Sequence, residues 1–327
     1  MDKKSMPNKV PIPKLFRHRF KLMLGREYKR FLEYSLKKPK RGIRINTLKA
    51  PSVSWLLSRF KTYGWEVEQV PWYEYGYWIT TPEDVKPGNT LEGFLGMIYG
   101  QDPSSMIPPL LLDVEESPED LVVIDMCASP GSKTSMIAQL MGNMGIIIAN
   151  DLKQARIKPL TNNLRKLGVV NTIITNYDGL HLPRVIRRMD LTADRILVDA
   201  PCSSEGTIRY NWRVLSSWSV EAIHRFASLQ KRLLSKAVEM IKPGGVVVYS
   251  TCTLAPEENE GVVSWVLDKY SDVYLEKVRL PGLRYHPGIV EWDGVKYREE
   301  LYDHVLRVYP HDNDSEGFFI ARLRKEE

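Results

Sequence analysis

Cysteine is scarce in this chain: Cys127, Cys202 and Cys252 are the only three among 327 residues, and none belongs to a C-x-x-C pair. An odd, widely spaced set makes no disulfide framework and offers no zinc-ligand spacing, so a reducing, cytoplasmic setting and no metal are expected. Long apolar runs are also missing. Nothing approaches the roughly 18 to 20 residues that cross a bilayer, and no apolar signal core opens the chain, so no membrane partner is expected. Pro7, Pro11 and Pro13 interrupt the amphipathic helix that an organelle-targeting leader requires. No internal repeat and no low-complexity tract is visible. Acids are rare at one end. Between Met1 and Ile45 there are 15 Lys and Arg against Asp2, Glu27 and Glu33, a local net charge of +12 in a chain whose total is +6. A basic segment beside a mildly acidic body suits a polyanion such as a nucleic acid, although a solvated charged tail has the same composition.

What is present divides into three parts, expected as a basic helical segment over 1–40, a small α/β domain over 41–100 and a larger α/β domain over 101–327. Leu15, Phe16, Phe20, Leu24, Tyr28, Phe31 and Leu32 recur at near-helical spacing, which predicts one or two basic amphipathic helices between Lys14 and Leu36. The alternating run Ile43-Arg44-Ile45-Asn46 reads as a strand. A helix is expected from about Val53 to Tyr63, ending at Gly64, with short strands near Val67 and Tyr77. Trp72, Tyr73, Tyr75, Tyr77 and Trp78 cluster there, and either base stacking or core packing accounts for them. From Leu121 the rhythm becomes strand, turn, helix. Apolar runs at Leu121–Asp125, Met144–Asn150, Thr172–Thr175, Arg195–Asp199 and Val246–Ser250 alternate with helical stretches such as Ser132–Leu140 and Gln154–Leu167. Continuous apolar strands between helices predict a parallel sheet covered on both faces, an α/β doubly wound architecture.

Such sheets bind ligands beyond the carboxyl ends of their strands. The first strand runs into Asp125-Met-Cys-Ala-Ser-Pro-Gly-Ser-Lys-Thr134 and then a helix, a turn that offers free backbone N–H groups. A triphosphate-binding loop would need glycine at 127 and 132, where the chain has Cys127 and Ser132, so that reading fails. Asp151, Asp178 and Asp199 stand at three later strand ends. Any one could be a turn acid, but together with the glycine turn they suit a ligand with a ribose, a base and a positive centre. Cys202 lies just past the strand that ends in Asp199, and Cys252 just past the fifth strand. A lone thiol is most often a small core residue, whereas two around one crevice point to a nucleophile, and the residues alone do not rank them.

At this point the motifs resemble a known family. Asp125–Thr134, Asp199-Ala-Pro-Cys-Ser203 and Ser250-Thr-Cys-Thr253 together are similar to those of the Sun (NSUN) family of RNA cytosine-5 methyltransferases. Arg44-Ile-Asn-Thr47, Arg307-Val-Tyr-Pro-His311 and Gly317-Phe-Phe-Ile-Ala-Arg322 resemble its N-terminal and closing motifs. The likeness spans roughly residues 40 to 325, and the joint presence of both cysteine motifs is its specific part. Ser129 and Ser132 stand where the family often has Ala and Gly, and Ser204 where Gly is common.

The resemblance implies a Rossmann-like, mostly parallel seven-stranded methyltransferase sheet and S-adenosyl-L-methionine as cofactor. It implies Cys252 as the nucleophile that adds to carbon 6 of cytosine, Cys202 as the residue that resolves the covalent product, Asp199 at the N3/N4 edge of the base, and Lys133 orienting Asp199. The turn Cys127, Ala128, Ser129, Pro130, Gly131, Ser132 and Lys133 would hold the methionine end of the cofactor. Asp151 would hold the ribose and Asp178 the adenine side, with Arg156 bracing the pocket and Asp199 bordering it. The target base must leave its stack, so single-stranded or remodelled RNA is implied. Transfer RNA is expected, because the N-terminal extension is small and no large extra binding domain is present; ribosomal RNA is the alternative. A monomer is expected. An amino-group methyltransferase is disfavoured, since Asp199-Ala-Pro-Cys202 carries a thiol and no aromatic, and a catalytically silent RNA-binding or assembly factor is disfavoured by the intact cysteine pair.

Overall fold

A computed structural model describes residues 11–82 and 85–327. The first ten residues of the basic segment, Pro7 among them, lie outside the described residues. Helices α1 (Lys14–Leu24) and α2 (Tyr28–Leu36) follow, joined by a single 3-10 turn. Phe16, Phe20 and Phe31 fall on one side of this pair and are fully buried. They pack against Ile208, Leu215, Leu254 and Tyr309, so the basic segment is docked on the C-terminal unit by an apolar face. Its other face leaves Lys14, Arg17, Lys21, Lys29 and Arg30 exposed.

Strands β1 (Arg41–Ile45), β2 (Glu66–Gln69), β3 (Gly76–Thr80) and β4 (Ile98–Gly100) form an antiparallel sheet in the order β2-β3-β1-β4. Helix α3 (Val53–Thr62) supplies Leu56 and Phe60 to the same core as Ile43, Ile45, Tyr77 and Ile79. Ser52 caps α3, its Oγ accepting from Trp55 N at 3.1 Å, and Gly64 closes it at φ +70°, a torsion that glycine takes without a Cβ penalty. The aromatic cluster proves to be core. Trp72, Tyr73, Tyr77 and Trp78 are all buried, and Trp72, Tyr73 and Trp78 share one apolar core with Met106, Met136, Leu197 and Phe318 of the larger unit. Tyr75 is half-buried and meets Tyr73 edge-on, so base stacking has no support in this group.

The larger unit is built on β5 (Val122–Asp125), β6 (Ile146–Asn150), β7 (Thr172–Thr175), β8 (Ala193–Asp199), β9 (Ile241–Thr251), β10 (Val273–Glu276), a small hairpin β11 (Glu291–Trp292) and β12 (Val295–Lys296), β13 (Leu306–Val308) and β14 (Phe318–Lys325). The sheet runs β10-β14-β9-β8-β5-β6-β7, with the short β13 added beside β14. Strands β5 to β9 are mutually parallel, and β10, β13 and β14 pair antiparallel. This is the expected seven-strand path plus one short strand. Alternation along β9 shows why the strands read as unbroken apolar runs: Val247 and Tyr249 face one core, while Val246 and Val248 face the other.

Helices α4 (Ser132–Leu140), α5 (Gln154–Lys166), α6 (Leu182–Arg188), α7 (Val220–Met240) and α8 (Glu260–Lys269) complete the layers. Helices α6, α7 and α8 cover one face, and α4 with the small domain covers the other. The chain enters at β5 and winds outward first through β6 and β7, then through β8 and β9. The crevice where that order reverses opens at the carboxyl ends of β5 and β8.

Candidate active site

The two cysteine loops leave adjacent strands at the same depth. Asp199 at the end of β8 is register partner to Ser250 in β9, and Ser250 Oγ donates to Asp199 Oδ1 at 2.9 Å. Three residues beyond Asp199 and two beyond Ser250 stand Cys202 and Cys252, both free, with their Sγ atoms 3.2 Å apart. Both loops are held from several sides. Gln230 donates to Pro201 O at 2.9 Å, and Gly206 N donates to Cys252 O at 2.8 Å. Gly206 also lies against Gly317, where a Cβ would stand 2.1 Å from the Gly317 carbonyl oxygen, so no larger residue fits.

Two buried acids organise the loops. Glu258 accepts from Ser203 N at 3.1 Å and from Gln230 at 2.8 Å, and burial raises its pKa to about 8. Glu205 accepts from Trp218 Nε1 at 2.7 Å and from Leu254 N at 3.2 Å, and burial pushes it up as well. Ser204 has φ +60°, the left-handed region, which gives a physical reason for glycine being common at that position. Its Oγ lies 3.7 Å from Cys252 Sγ and 3.9 Å from Cys202 Sγ.

Charge distinguishes the two thiols. Lys133, from the first turn of α4, sets its Nζ 2.7 Å from Asp199 Oδ2. Burial works against the charge on Lys133, yet Asp199 beside it outweighs burial and holds the lysine above its ordinary pKa. Cys252 is held below the ordinary thiol range by the hydrogen bond from Cys202, helped by Lys133, against the opposing effects of burial and Asp199. Cys202 goes the other way, because it shares its proton with Cys252, is buried and faces the Glu258 carboxyl. Cys127 is pushed up by burial and then by Asp125, so it stays a neutral thiol.

The other expected residues line the neighbouring strand ends. Gly131 caps the start of α4 at φ +102°, and Thr134 Oγ1 donates to the buried Asp125 at 2.7 Å. Burial raises Asp125 to a pKa of about 7. Ala128 N donates to Asn150 O at 2.8 Å, fixing the turn to the end of β6, and Asn163 donates to Pro130 O at 2.8 Å. Ser129 binds twice: its N–H donates to Asp151 Oδ2 at 3.3 Å and its hydroxyl to Arg156 O at 2.9 Å. The serine at a position where alanine is common therefore ties the turn to α5. Ser132 is the first residue of α4. Asp151 is buried, accepts from Lys153 N at 3.0 Å and pairs with Arg156 at 3.4 Å. Asp178 is half-buried and accepts from Leu180 N at 3.0 Å. Carboxylates at the ends of β6 and β8, with Asp178 just past β7 and a helix N-terminus between them, are a donor set that fits a cationic cofactor bearing a diol and a carboxylate.

A cleft of about 430 Å³ opens between the small sheet and the larger unit, lined by Arg41, Tyr99, Asp102, Lys166, Tyr210 and Glu316 among others. Tyr210 donates to Asp102 at 2.8 Å. The cysteines do not line this cleft, but Glu316 does, and its carboxyl is pushed well up by burial, then by Asp102 and by Cys252. Glu205, Glu258, Glu316, Tyr210 and Ser250 were not singled out from sequence. The signal was available for the first two, as acids three and six residues past the two cysteines.

Among the described residues no helix is long and apolar enough to cross a membrane. Residues 110–324 match the family model described as 16S rRNA methyltransferase RsmB/F, and residues 12–103 match the N-terminal domain of 16S rRNA methyltransferase RsmF. The chain is 44% identical to a Pyrococcus abyssi protein named tRNA (cytosine(49)-C(5))-methyltransferase, over 90% of this chain and 91% of that one. It is 41% identical to ribosomal RNA small subunit methyltransferase F of Shewanella amazonensis, over 87% of this chain and 58% of that one. Among solved structures, a methyltransferase homolog protein from Pyrococcus horikoshii superposes with a TM-score of 0.84 at 38% identity, covering 97% and 96% of the two chains. NSun6 from Pyrococcus horikoshii, solved with the S-adenosylmethionine analogue SFG, superposes with a TM-score of 0.80 at 27% identity over 96% and 98%. The motifs, the doubly wound sheet and these matches agree: the chain belongs to the RsmB/F, or Sun, family of S-adenosylmethionine-dependent RNA cytosine-5 methyltransferases.

Proposed function

We propose that the substrate is a transfer RNA and that Cys252 is the nucleophile. Carbon 5 of cytosine is a weak nucleophile while the ring is aromatic. The Cys252 thiolate adds to carbon 6, and the displaced electron pair makes carbon 5 enamine-like. Asp199, oriented by Lys133 at 2.7 Å and by Ser250 at 2.9 Å, takes the N3/N4 edge of the base by hydrogen bonding and steadies the charge that collects there. The cofactor, when bound, supplies an electrophilic methyl group on a sulfonium. Carbon 5 takes the methyl and gives up its proton to a base. The pair left by that proton restores the 5–6 double bond as the carbon–sulfur bond breaks, returning the thiolate. Cys202, 3.2 Å from Cys252, is placed to serve that release. The turn Cys127–Lys133 would hold the methionine end of the cofactor, Asp151 its ribose and Asp178 its adenine side, with Arg156 bracing Asp151.

The observation that carries this reading is the Cys202–Cys252 contact beside the Lys133–Asp199 ion pair. Transfer RNA is favoured over ribosomal RNA because the tRNA-named relative matches over nearly its full length. The chain spans only about three-fifths of the rRNA-named relatives, which carry a further region that it does not match. The exposed Lys and Arg of α1 and α2 supply phosphate contacts that position the RNA without reading sequence. Free cysteines suit the reducing cytoplasm. The test offers labelled S-adenosylmethionine with transfer RNA and with small-subunit ribosomal RNA in parallel, followed by bisulfite sequencing. Label at one cytosine of transfer RNA is expected. Label in ribosomal RNA alone would overturn the substrate, and no label in either would overturn the activity.

A further inference from the structure

Three side chains from distant parts of the chain converge where the N-terminal helices dock. Glu27 comes from the turn between α1 and α2. His286 comes from a segment bridged to Arg307 in β13, and His311 from the single helical turn after β13. Their ligand atoms all lie within 4.8 Å of one another. His286 Nε2 and His311 Nε2 lie 3.7 Å and 3.5 Å from Glu27 Oε2. Asp312 Oδ1 lies 3.1 Å from His286 Nε2 and 3.8 Å from His311 Nε2.

We propose that Glu27, His286 and His311 form a site for one divalent transition-metal ion of the zinc class, which fastens the basic N-terminal helices to the catalytic domain. Ligands about 2.0 to 2.1 Å from a tetrahedral zinc stand roughly 3.3 to 3.4 Å apart. The two contacts to Glu27, 3.5 Å and 3.7 Å, exceed this by only a few tenths of an ångström, which a rotation of the half-exposed Glu27 takes up, and the ligand nitrogens of the two histidines lie within 4.8 Å of each other. Imidazole and carboxylate donors suit zinc and its neighbours, and not magnesium or calcium, which favour all-oxygen shells. Asp312, whose Oδ1 faces both Nε2 atoms, is the natural fourth ligand.

Two further observations favour an ion over a simple polar contact. His311 is almost wholly buried, yet its Nε2 reaches Glu27 only at the outer limit of a hydrogen bond. A buried ring nitrogen with so long a contact is better satisfied by a bond to an ion. Both rings are also set by packing against Tyr309, with centroids 4.9 Å away for His286 and 5.8 Å for His311, so the pair is pre-oriented. No zinc spacing is visible along the chain, because the three residues lie 25 to 284 positions apart. None of them belongs to the methyl-transfer site.

The experiment uses the full chain, stripped with a chelator, dialysed and titrated with Zn²⁺ and separately with Co²⁺. One equivalent should bind. The cobalt form should show visible d–d absorption without a thiolate charge-transfer band, which separates this site from the Cys202–Cys252 pair. His286→Gln and Glu27→Ala change partly exposed side chains. Each should keep the wild-type circular dichroism and weaken binding by about tenfold or more. Zinc should raise the melting temperature of the wild type and leave that of either variant unchanged. No binding, equal binding by the variants, or cobalt absorption of thiolate type would overturn the site.

Discussion

Two thiols lie 3.2 Å apart, and their surroundings push them in opposite directions. The hydrogen bond with Cys202, helped by Lys133, holds Cys252 below the ordinary thiol range, while that same bond, burial and Glu258 push Cys202 up, which favours Cys252 as the proposed nucleophile. Sequence alone could not rank the two, because Lys133 is remote from both cysteines along the chain and Glu258, six residues past Cys252, turns out to act on Cys202. The assignment separates two variants. Cys252→Ala should cut methylation by ~10⁴-fold or more while leaving S-adenosylmethionine affinity intact by calorimetry. Cys202→Ala should instead leave a protein–RNA adduct that survives a denaturing gel. If the adduct forms with Cys252→Ala and not with Cys202→Ala, the roles are reversed. The pH dependence has a definite sign. The reactive form is the thiolate, so kcat/KM rises as pH passes through the Cys252 pKa. Because that pKa is depressed, the acid limb should lie below the value of about 8.5 of a free thiol. Lys133→Met removes the nearby cation and frees the charge of Asp199. Both changes disfavour the thiolate, so the limb should move to higher pH, and a limb that stays in place would show that Lys133 does not act on Cys252.

At the scale of elements, the strand ends set the chemistry and the strands set the strand ends. Asp151 sits at the tip of β6 because the run Ile147-Ile148-Ala149 is buried on both faces and must stop where polar groups begin. Its carboxylate is held in place by Ser129 N, Lys153 N and Arg156, so it is ready before a ligand arrives. Asp151→Ala should therefore weaken S-adenosylmethionine binding far more than RNA binding, and calorimetry showing the reverse would move the cofactor elsewhere. These elements were legible in the sequence for a simple reason. A strand covered on both sides is apolar throughout, and a helix between two such strands has to start and stop at polar turns. The apolar runs placed β5, β7 and α4 within a residue, although β9 begins at Ile241 and not at Val246, since a strand flanked by a lysine and two glycines shows no apolar signal there. What stayed hidden depends on contacts across the fold. Burial of Trp72, Tyr73 and Trp78 comes from helices and strands far along the chain, and no spacing rule could choose between a core and a stacking surface. Glu205 and Glu258 read as surface acids until their partners Trp218, Leu254, Ser203 and Gln230 are known.

At the scale of the whole molecule, the small sheet and the methyltransferase sheet pack as one body, and a buried arginine is central to the bonds between them. Arg44 in β1 is fully buried and crosses to α4. Its Nε donates to Gln101 at 3.0 Å and its Nη2 to Ser135 at 2.7 Å, and it also bonds Gln139. Burial lowers its pKa only to about 10, so the guanidinium remains charged at neutral pH with three neutral acceptors and no carboxylate among these bonds. Asn46, two residues on, adds bonds to Gly96 O and Leu167 O, each at 2.8 Å. The motif Arg44-Ile-Asn-Thr47 is thus a joint between domains, with Ser135 and Gln139 lying one and two turns from Ser132 on the helix that also carries Lys133. Arg44→Ala removes the only donor to three buried polar groups, an effect of about 3 kcal/mol in stability. Urea unfolding should show that loss with an unchanged slope if the two sheets still unfold together. Arg44→Lys keeps the charge but not the fork, so it should recover only part of the loss. A variant as stable as the wild type would mean that the apolar core under Trp72, Tyr73 and Trp78 and the Asn46 bonds join the two sheets without Arg44. A steepened loss of methylation without loss of stability would mean that Arg44 acts on the placement of Lys133 instead.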